Sequence, residues 1–112
     1  MVKQGDIIKI NFNPQAGHEQ AGYRPAVVVS NDFFNKKTNL TIVCPVTNTI
    51  SDFPLHVKLD ERTTTTGTIL CEHLKALDIN KRTYKIIEPL PKDILEQVID
   101  IIFAEIEIED EN

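Results

Sequence analysis

The segment from Gly17 to Ser30, GHEQAGYRPAVVVS, joins a polar loop bounded by glycines directly to an apolar strand. Pro25 fixes its own backbone and biases Arg24, the residue before it, toward an extended conformation. Three consecutive valines follow, and β-branched residues favour a buried strand. The segment therefore predicts an arginine held at the edge of a sheet. Its planar fork of N–H donors matches a phosphate or a carboxylate, so an anionic ligand is the first hypothesis.

Short strand-like segments recur along the rest of the chain. In IIKINF, apolar residues alternate with Lys9 and Asn11, which predicts a half-buried strand whose inner face carries Ile8, Ile10 and Phe12. The other predicted strands cover residues 26–30, 40–46, 55–59, 68–74 and 84–87, and residues 31–37 form a polar turn with at most one turn of helix. We expect a mainly β fold, a small and strongly bent barrel or half-barrel with one C-terminal helix.

The C-terminal helix begins at Pro91, a residue that suits the first turn of a helix. Its apolar face comprises Ile94, Leu95, Val98, Ile101, Ile102 and, at its margin, Ile99. We expect this face to pack on the sheet, and it is wide enough that part of it could also meet a second subunit.

The length of 112 residues predicts one domain, 1–112, that ends in an acidic tail over about 104–112. The sequence has no apolar run of about 18 residues for a membrane span and no secretion signal at its start, so we expect a cytoplasmic protein. Cys44 and Cys71 each lie in an apolar segment, and buried free thiols are expected rather than a disulfide or a metal pair.

The net charge of −5 comes from the C-terminal tail. Five of the 17 acids lie in the last eight residues, which leaves 12 acids (17 minus 5) against 12 Lys and Arg. The acidic total argues against unspecific binding of duplex DNA. A neutral body can still contain a local cationic groove for a single strand.

Arg24 and Thr47 are the strongest candidates for chemistry, because each lies at a strand end with a proline nearby. A guanidinium and a hydroxyl can bind two oxygens of one phosphate and stabilise the charge of a transition state. If the substrate is RNA, the ribose 2′-hydroxyl is the nucleophile, and His18 or Glu19 could act as the base. The sequence contains no nucleophile motif and no credible metal cluster, since its three histidines are scattered.

Structural roles compete with each of these assignments. Arg24 could form an ion pair with Glu19 or Asp78, and Thr47 could be only a turn hydroxyl. His18 could be an ordinary loop histidine, and Glu19 could serve only to order the loop. Glu72 and His73 could be surface residues of a strand, and Asp78 and Arg82, four residues apart, could form a local ion pair. Local backbone is the expected partner of the hydroxyls of Thr63–Thr66.

Four segments in this order resemble the MazF/PemK family of toxin endoribonucleases: GDIIKINF, GHEQAGYRPAVVVS, IVCPVTNT and GTILCEHLKALDINKR. The resemblance extends from Gly5 to about Phe103, and the combination of GxEQ-x3-RP with CPxT is specific. It implies a small SH3-like barrel of the MazF/CcdB type with a C-terminal helix, and a homodimer. It also implies metal-independent cleavage of single-stranded RNA without a cofactor, leaving a cyclic phosphate and a 5′-hydroxyl.

The resemblance also implies roles for particular residues. Arg24 matches the arginine of the RP motif and Thr47 the threonine of the CPxT motif, the two catalytic positions, while Glu19 and Gln20 match the loop that shapes the RNA site. Asn48, Glu72 and His73 are further candidates for substrate binding. Many members have Asp-Gln where this chain has Glu72-His73, and some have an arginine where it has Leu70. The family's partner is a small antitoxin whose acidic, flexible tail occupies the RNA groove.

Two other functions fit the same fold. A CcdB-like toxin poisons DNA gyrase through protein contacts, and it would not need Arg24 and Thr47 to face one cleft. An inert pseudo-toxin or regulator is the third hypothesis.

Overall fold

The computed structural model describes residues 1–14, 17–18, 21–49 and 52–110. Within these ranges the chain forms seven strands and two α-helices. The strands are β1 Asp6–Asn11, β2 Tyr23–Val28, β3 Thr41–Thr47, β4 His56–Lys58, β5 Thr68–Leu70, β6 Lys75–Leu77 and β7 Tyr84–Pro89. The helices are α1 Asp32–Thr38 and α2 Lys92–Ile106, and single 3-10 turns cover Cys71–His73 and Ile79–Lys81.

The strands form one antiparallel sheet in the order β4-β5-β3-β2-β1-β7, with β6 also paired to β3. The first half of β3 pairs with β6, and its last two residues pair with β5, so β3 changes partners along one edge. The mainly β prediction with a C-terminal helix is confirmed. In the described part of the chain no ladder joins β4 to β7, so the sheet is bent but open, and the word barrel describes only its curvature.

Apolar side chains are buried on both faces of the central strands, because alternate residues of a strand point to opposite sides. One core lies between the sheet and α2 and contains Ile7, Val27, Cys44, Val46, Ile69, Ile94 and Val98. The second core lies on the other face and contains Val2, Ile8, Ile10, Phe12, Ala26, Val28, Val43 and Leu77. The alternation predicted in β1 is therefore confirmed, and Ile7 adds a second buried face.

Helix α2 begins at Lys92, one residue after the predicted start at Pro91, and its apolar residues pack on the first core. It continues to Ile106, so the first residues of the predicted acidic tail are helical. Phe103 and Ile106 project from it with 64% and 71% of their surfaces exposed. Among the described helices none is both long and apolar enough to cross a bilayer.

Three local predictions differ from the structure. The strand predicted over residues 26–30 covers Tyr23–Val28, so it begins three residues earlier and ends two residues earlier. The turn over residues 31–37 is a two-turn helix, because the Asn31 side chain caps it by accepting a hydrogen bond from the Phe34 N–H at 2.9 Å. The strand predicted over residues 68–74 is wrong beyond Leu70, since the chain turns at Cys71–His73 before pairing again as β6. The buried apolar run Ile69, Leu70 and Cys71 continues into this turn, so the sequence does not mark where the strand ends.

Both cysteines are buried and free, as predicted. Burial, reinforced by the nearby Glu105 and Glu72 charges, raises the pKa of the Cys71 thiol to about 12. Burial likewise raises the pKa of Cys44 well above its usual range. Because only a thiolate is an effective nucleophile, both thiols are packing residues at neutral pH.

A network of charged and hydroxyl side chains, here called the Glu88 corner, holds the loop before β5 in place. It consists of Asp60, Arg62, Thr64, Thr65, Glu88 and Asp93. The Glu88 carboxylate accepts hydrogen bonds from the backbone N–H and the hydroxyl of both threonines, at 2.7 to 3.0 Å. Arg62 lies between Asp60 and Asp93, at 2.8 Å from each. The prediction of local backbone partners therefore holds for Thr63, which donates to the Thr65 carbonyl. It is wrong for Thr64, Thr65 and Thr66, whose hydroxyls donate to the side chains of Glu88 and Asn48.

Candidate active site

The register between β2 and β3 relates the two principal candidates. The paired residues are Ala26 with Pro45, Val27 with Cys44 and Val28 with Val43. Continued by two residues, the same register sets Arg24 opposite Thr47, at the open end of the ladder. Opposite residues of neighbouring strands share a face of the sheet. Arg24 and Thr47 are thus directed to the face that bears Ala26 and Pro45, away from α2.

Arg24 lies in the second position of β2 and is exposed. Its Nε donates to the Ala21 carbonyl at 2.6 Å, which fixes the base of the guanidinium. Within the described ranges no carboxylate pairs with Arg24, so the two terminal NH₂ groups remain available for a ligand. The alternative of an Arg24–Asp78 ion pair is not formed, and Glu19 lies outside the described residues.

Thr47 ends β3, half-buried, and its hydroxyl oxygen accepts a hydrogen bond from the Thr49 N–H at 3.2 Å. A hydroxyl that accepts one hydrogen bond can still donate its proton. The Asn48 amide oxygen accepts from the Thr66 hydroxyl at 3.0 Å. Gly67 lies against this segment with φ of +122°, and a Cβ there would lie 2.5 Å from the Thr47 carbonyl oxygen. The glycine therefore lets β5 approach the residue proposed to contact the substrate.

A cleft of about 280 Å³ opens beside these residues. It is lined by Phe12, His18, Pro45, Glu72, His73, Leu74 and Lys75. Pro45 precedes Thr47 by two residues on the same face of β3, which places the cleft next to the Arg24–Thr47 end of the ladder. The structure thus brings together three residues that the sequence suggested separately, His18, Glu72 and His73. Glu19 and Gln20, the other two loop candidates, lie outside the described residues.

Glu72 is held by a histidine that the sequence did not single out. His56 Nε2 lies 2.7 Å from Glu72 Oε2, and His73 Nε2 lies 3.9 Å from the same oxygen. The register of β4 with β5 sets His56 opposite Leu70, two residues before Glu72. This contact joins residues 16 positions apart across two short strands, so no spacing motif could reveal it.

Glu105 at the end of α2 adds a second acid behind Glu72. Burial, and then the charge of Glu72, raise the pKa of Glu105 above its usual range. One oxygen of each carboxyl is buried without a hydrogen-bond partner in the described part of the chain. The described residues contain no group of three His, Cys, Asp or Glu side chains that could hold a metal ion.

The described chain forms a bent antiparallel sheet with one C-terminal helix, and its register sets an arginine opposite a threonine beside a polar cleft. The family of PemK-like, MazF-like toxins of type II toxin–antitoxin systems matches residues 3–103. The chain belongs to this family.

Individual relatives agree with this assignment. Endoribonuclease PemK of Escherichia coli is 34% identical over 102 residues, which cover 88% of this chain and 77% of PemK. A crystal structure of MazF from Deinococcus radiodurans superposes with a TM-score of 0.89 at 34% identity, covering 96% of this chain and 97% of that one. A MazE–MazF structure from the same organism gives a TM-score of 0.83 at 33% identity, with 96% and 97% covered.

Proposed function

We propose that this toxin cleaves single-stranded RNA at the Arg24–Thr47 end of the β2–β3 ladder. The relatives PemK and MazF of Escherichia coli are endoribonucleases, and the chain belongs to the family of PemK-like, MazF-like toxins. The observation that supports this location best is the register, because it directs a guanidinium and a hydroxyl to one face beside a polar cleft.

In the proposed reaction the ribose 2′-hydroxyl loses its proton to a base, and its oxygen forms a bond to the adjacent phosphorus. The bond from phosphorus to the 5′-oxygen breaks, and that oxygen takes up a proton. The products are a 2′,3′-cyclic phosphate and a 5′-hydroxyl, and no water or metal enters this step. Arg24 stabilises the charge that builds on the phosphate oxygens, and Thr47 donates a hydrogen bond to one of them.

The base is a side chain of the polar loop or the cleft. His18 lines the cleft and is exposed to solvent, and a ring nitrogen of a neutral imidazole can accept a hydrogen bond from a hydroxyl. Glu19 is the other candidate of the same loop. Glu72, held by His56, and His73 contribute to substrate binding in this proposal, together with Gln20 and Asn48.

The proposed regulator is a cognate antitoxin with an acidic, flexible tail. The MazE–MazF structure from D. radiodurans, which shares the fold of this chain, supports such a partner. An acidic peptide competes with RNA because both present anions to the same cations. A homodimer is proposed as well, with the exposed apolar residues of α2, Phe103 and Ile106, as a candidate contact.

The experiment is incubation of the purified protein with mixed single-stranded RNA in excess EDTA. Cleavage should persist in the chelator and yield cyclic-phosphate ends. Arg24→Ala should lower the rate about 1,000-fold, since a transition-state cation of this kind contributes ~10³ or more. Arg24→Lys is the matched control for charge, and it should stay well below wild type because it lacks the planar fork.

Intact RNA with wild-type protein would overturn the proposal. If DNA gyrase were blocked in that case, the CcdB-like function would replace it. Loss of cleavage in EDTA alone would contradict only the metal-independent mechanism.

A further inference from the structure

We infer that Lys9, Tyr23 and Lys85, here called the lysine–tyrosine patch, bind the nucleotide next to the scissile linkage. The RNA strand then crosses the rim of the sheet at the start of β2. This inference rests on the proposed cleavage of single-stranded RNA and adds a binding subsite to it.

The three residues lie on one face of β1, β2 and β7. Lys9 is directly opposite Lys85 on β7, and Tyr23 is opposite Asn11, which lies two residues after Lys9 on the same face. Lys9 Nζ lies 5.2 Å from the centroid of the Tyr23 ring. Tyr23 is 43% exposed, and Lys85, which lies on the other side of β1, is exposed as well. The patch is therefore open to a ligand.

The positive charge of the patch is uncompensated. Like charges directly opposite each other on neighbouring strands destabilise a sheet. No carboxylate forms an ion pair with Lys9 or Lys85 within the described ranges, and a cation–π contact holds an ammonium without neutralising it. The chain as a whole has a net charge of −5, so the charge of this patch is opposite in sign to the net charge of the molecule.

Arg82 adds a third cation at the same end of β1. Instead of the predicted ion pair with Asp78, which is wrong, its guanidinium donates to the carbonyls of Asn11 and Asn13 at 3.0 and 2.9 Å. These carbonyls hold the side chain without cancelling its charge.

Single-stranded RNA is complementary to this surface, because it carries negative phosphates and unstacked bases. A phosphate between Lys9 and Lys85 would relieve their repulsion, and an unstacked base can stack on an exposed aromatic ring. The position fits as well, because Tyr23 and Arg24 are consecutive at the first two positions of β2. Their side chains point to opposite faces at the rim. A strand that sets one phosphate at Arg24 can therefore place the neighbouring nucleotide at Tyr23.

Helix α1 supplies a matched control. Lys37 lies 6.0 Å from the ring of Phe33, which is 72% exposed, so the same kind of contact occurs there. Helix α1 follows the other end of β2, away from Arg24. The pair Lys36 and Lys37 allows the same change of net charge as the pair Lys9 and Lys85.

The test measures binding of mixed-sequence single-stranded RNA with 2′-O-methyl groups on every ribose, which lacks the attacking hydroxyl. Affinity is followed by fluorescence anisotropy across a salt series. K9Q/K85Q should weaken binding about tenfold. It should also reduce the slope of log affinity against log salt by about 1.4, because each of the two lost phosphate contacts contributes ~0.7. K9R/K85R should keep the wild-type slope. K36Q/K37Q should bind within about twofold of wild type.

The aromatic part is tested with Tyr23→Leu, which should weaken binding about tenfold, and Tyr23→Phe, which should not. Phe33→Leu is the control for loss of an exposed ring. Because the two lysines repel each other, K9Q/K85Q should melt at the same temperature as wild type or higher, so weaker binding would not reflect unfolding.

Equal effects of K9Q/K85Q and K36Q/K37Q would overturn the inference, since only long-range charge would then act. Equal binding by Tyr23→Leu and wild type would also overturn it. Wild-type cleavage of unmodified RNA is measured in parallel. If wild-type protein cleaves RNA but the patch variants bind it normally, only the subsite is contradicted. If wild-type protein does not cleave RNA, the proposed function is contradicted.

Discussion

The Glu88 corner differs from the rim, the part of the sheet that carries Arg24, Lys9 and Lys85, in whether its charged side chains have partners. In the corner, Arg62 is shared by two carboxylates, and Glu88 accepts four hydrogen bonds. At the rim, Arg24, Lys9 and Lys85 have no carboxylate partner in the described part of the chain. A partnered charge fastens one segment to another, whereas an exposed cation without a partner remains available for a ligand. We therefore expect substitutions in the corner to change the stability of the protein and substitutions at the rim to change RNA binding or cleavage.

Thr47→Val should have the largest effect at the rim after Arg24→Ala. The change keeps the shape and the strand preference of the residue but removes its hydroxyl. If Thr47 binds the phosphate in the transition state, kcat should fall about 100-fold with little change in affinity for 2′-O-methyl RNA.

The control for this change is Thr49→Val, which retains the backbone N–H that contacts Thr47 and should cleave like wild type. A parallel loss of cleavage and binding in Thr47→Val would mean that the hydroxyl only docks the substrate.

Gly67→Ala tests the link between the rim and the loop that the Glu88 corner fastens. The new Cβ would clash with the Thr47 carbonyl oxygen, so β3 and β5 must separate. We expect a loss of stability of about 1–3 kcal/mol from backbone strain, and a cleavage rate about tenfold lower while the protein is still folded.

Gly5→Ala is the matched strain control. Gly5 also has a positive φ, of +91°, but its Cβ would meet only the end of the Leu95 side chain at 3.2 Å. It should lower the melting temperature without a specific loss of cleavage. If both variants cleave equally well per folded molecule, Gly67 does not position Thr47.

Glu88→Gln tests the corner. The neutral amide retains the size of the side chain but accepts the threonine hydrogen bonds less strongly, so we expect a destabilisation of about 1–2 kcal/mol. Urea unfolding measures this change. Cleavage at a temperature well below the melting point should remain near wild type, and a large loss there would contradict the division between corner and rim.

Acid should weaken the same corner. Burial would raise the pKa of Glu88, but the hydrogen bonds from Thr64 and Thr65 outweigh it and lower the pKa to about 2, against 4.5 for a free carboxyl. Because the folded pKa is the lower one, this contribution to stability is present above pH 4.5 and is lost as the pH falls toward 2. Unfolding curves of wild type and Glu88→Gln should therefore converge over that range.

Local patterns predicted most of the fold. Alternation in β1, the valines of β2 and the proline before α2 each act within a few residues, so they are visible in the sequence. The extent of β5 was wrong, because the turn at Cys71–His73 buries Cys71 where a strand would also bury it. The Asp78–Arg82 pair was wrong because the Arg82 guanidinium donates to the carbonyls of Asn11 and Asn13, about 70 residues away in the sequence.

The candidate site was predicted in part. Motif resemblance singled out Arg24 and Thr47, and the register is consistent with their convergence. Two roles were missed: His56 holds Glu72 through a pairing of β4 with β5, and Lys9 faces Lys85 through a pairing of β1 with β7. Each role depends on which strands become neighbours, and spacing along the chain does not encode that.

The sequence by itself determined the β-rich class, the C-terminal helix and the family, and it singled out Arg24 and Thr47 as candidates, because these follow from local preference and motif order. Tertiary structure alone decided which charges would be neutralised. The sheet brings Thr64 and Thr65 to Glu88, so that carboxylate is saturated. It also sets Lys9 against Lys85 with no acid between them. Electrostatic energy depends on distance in space, and the strand order sets that distance.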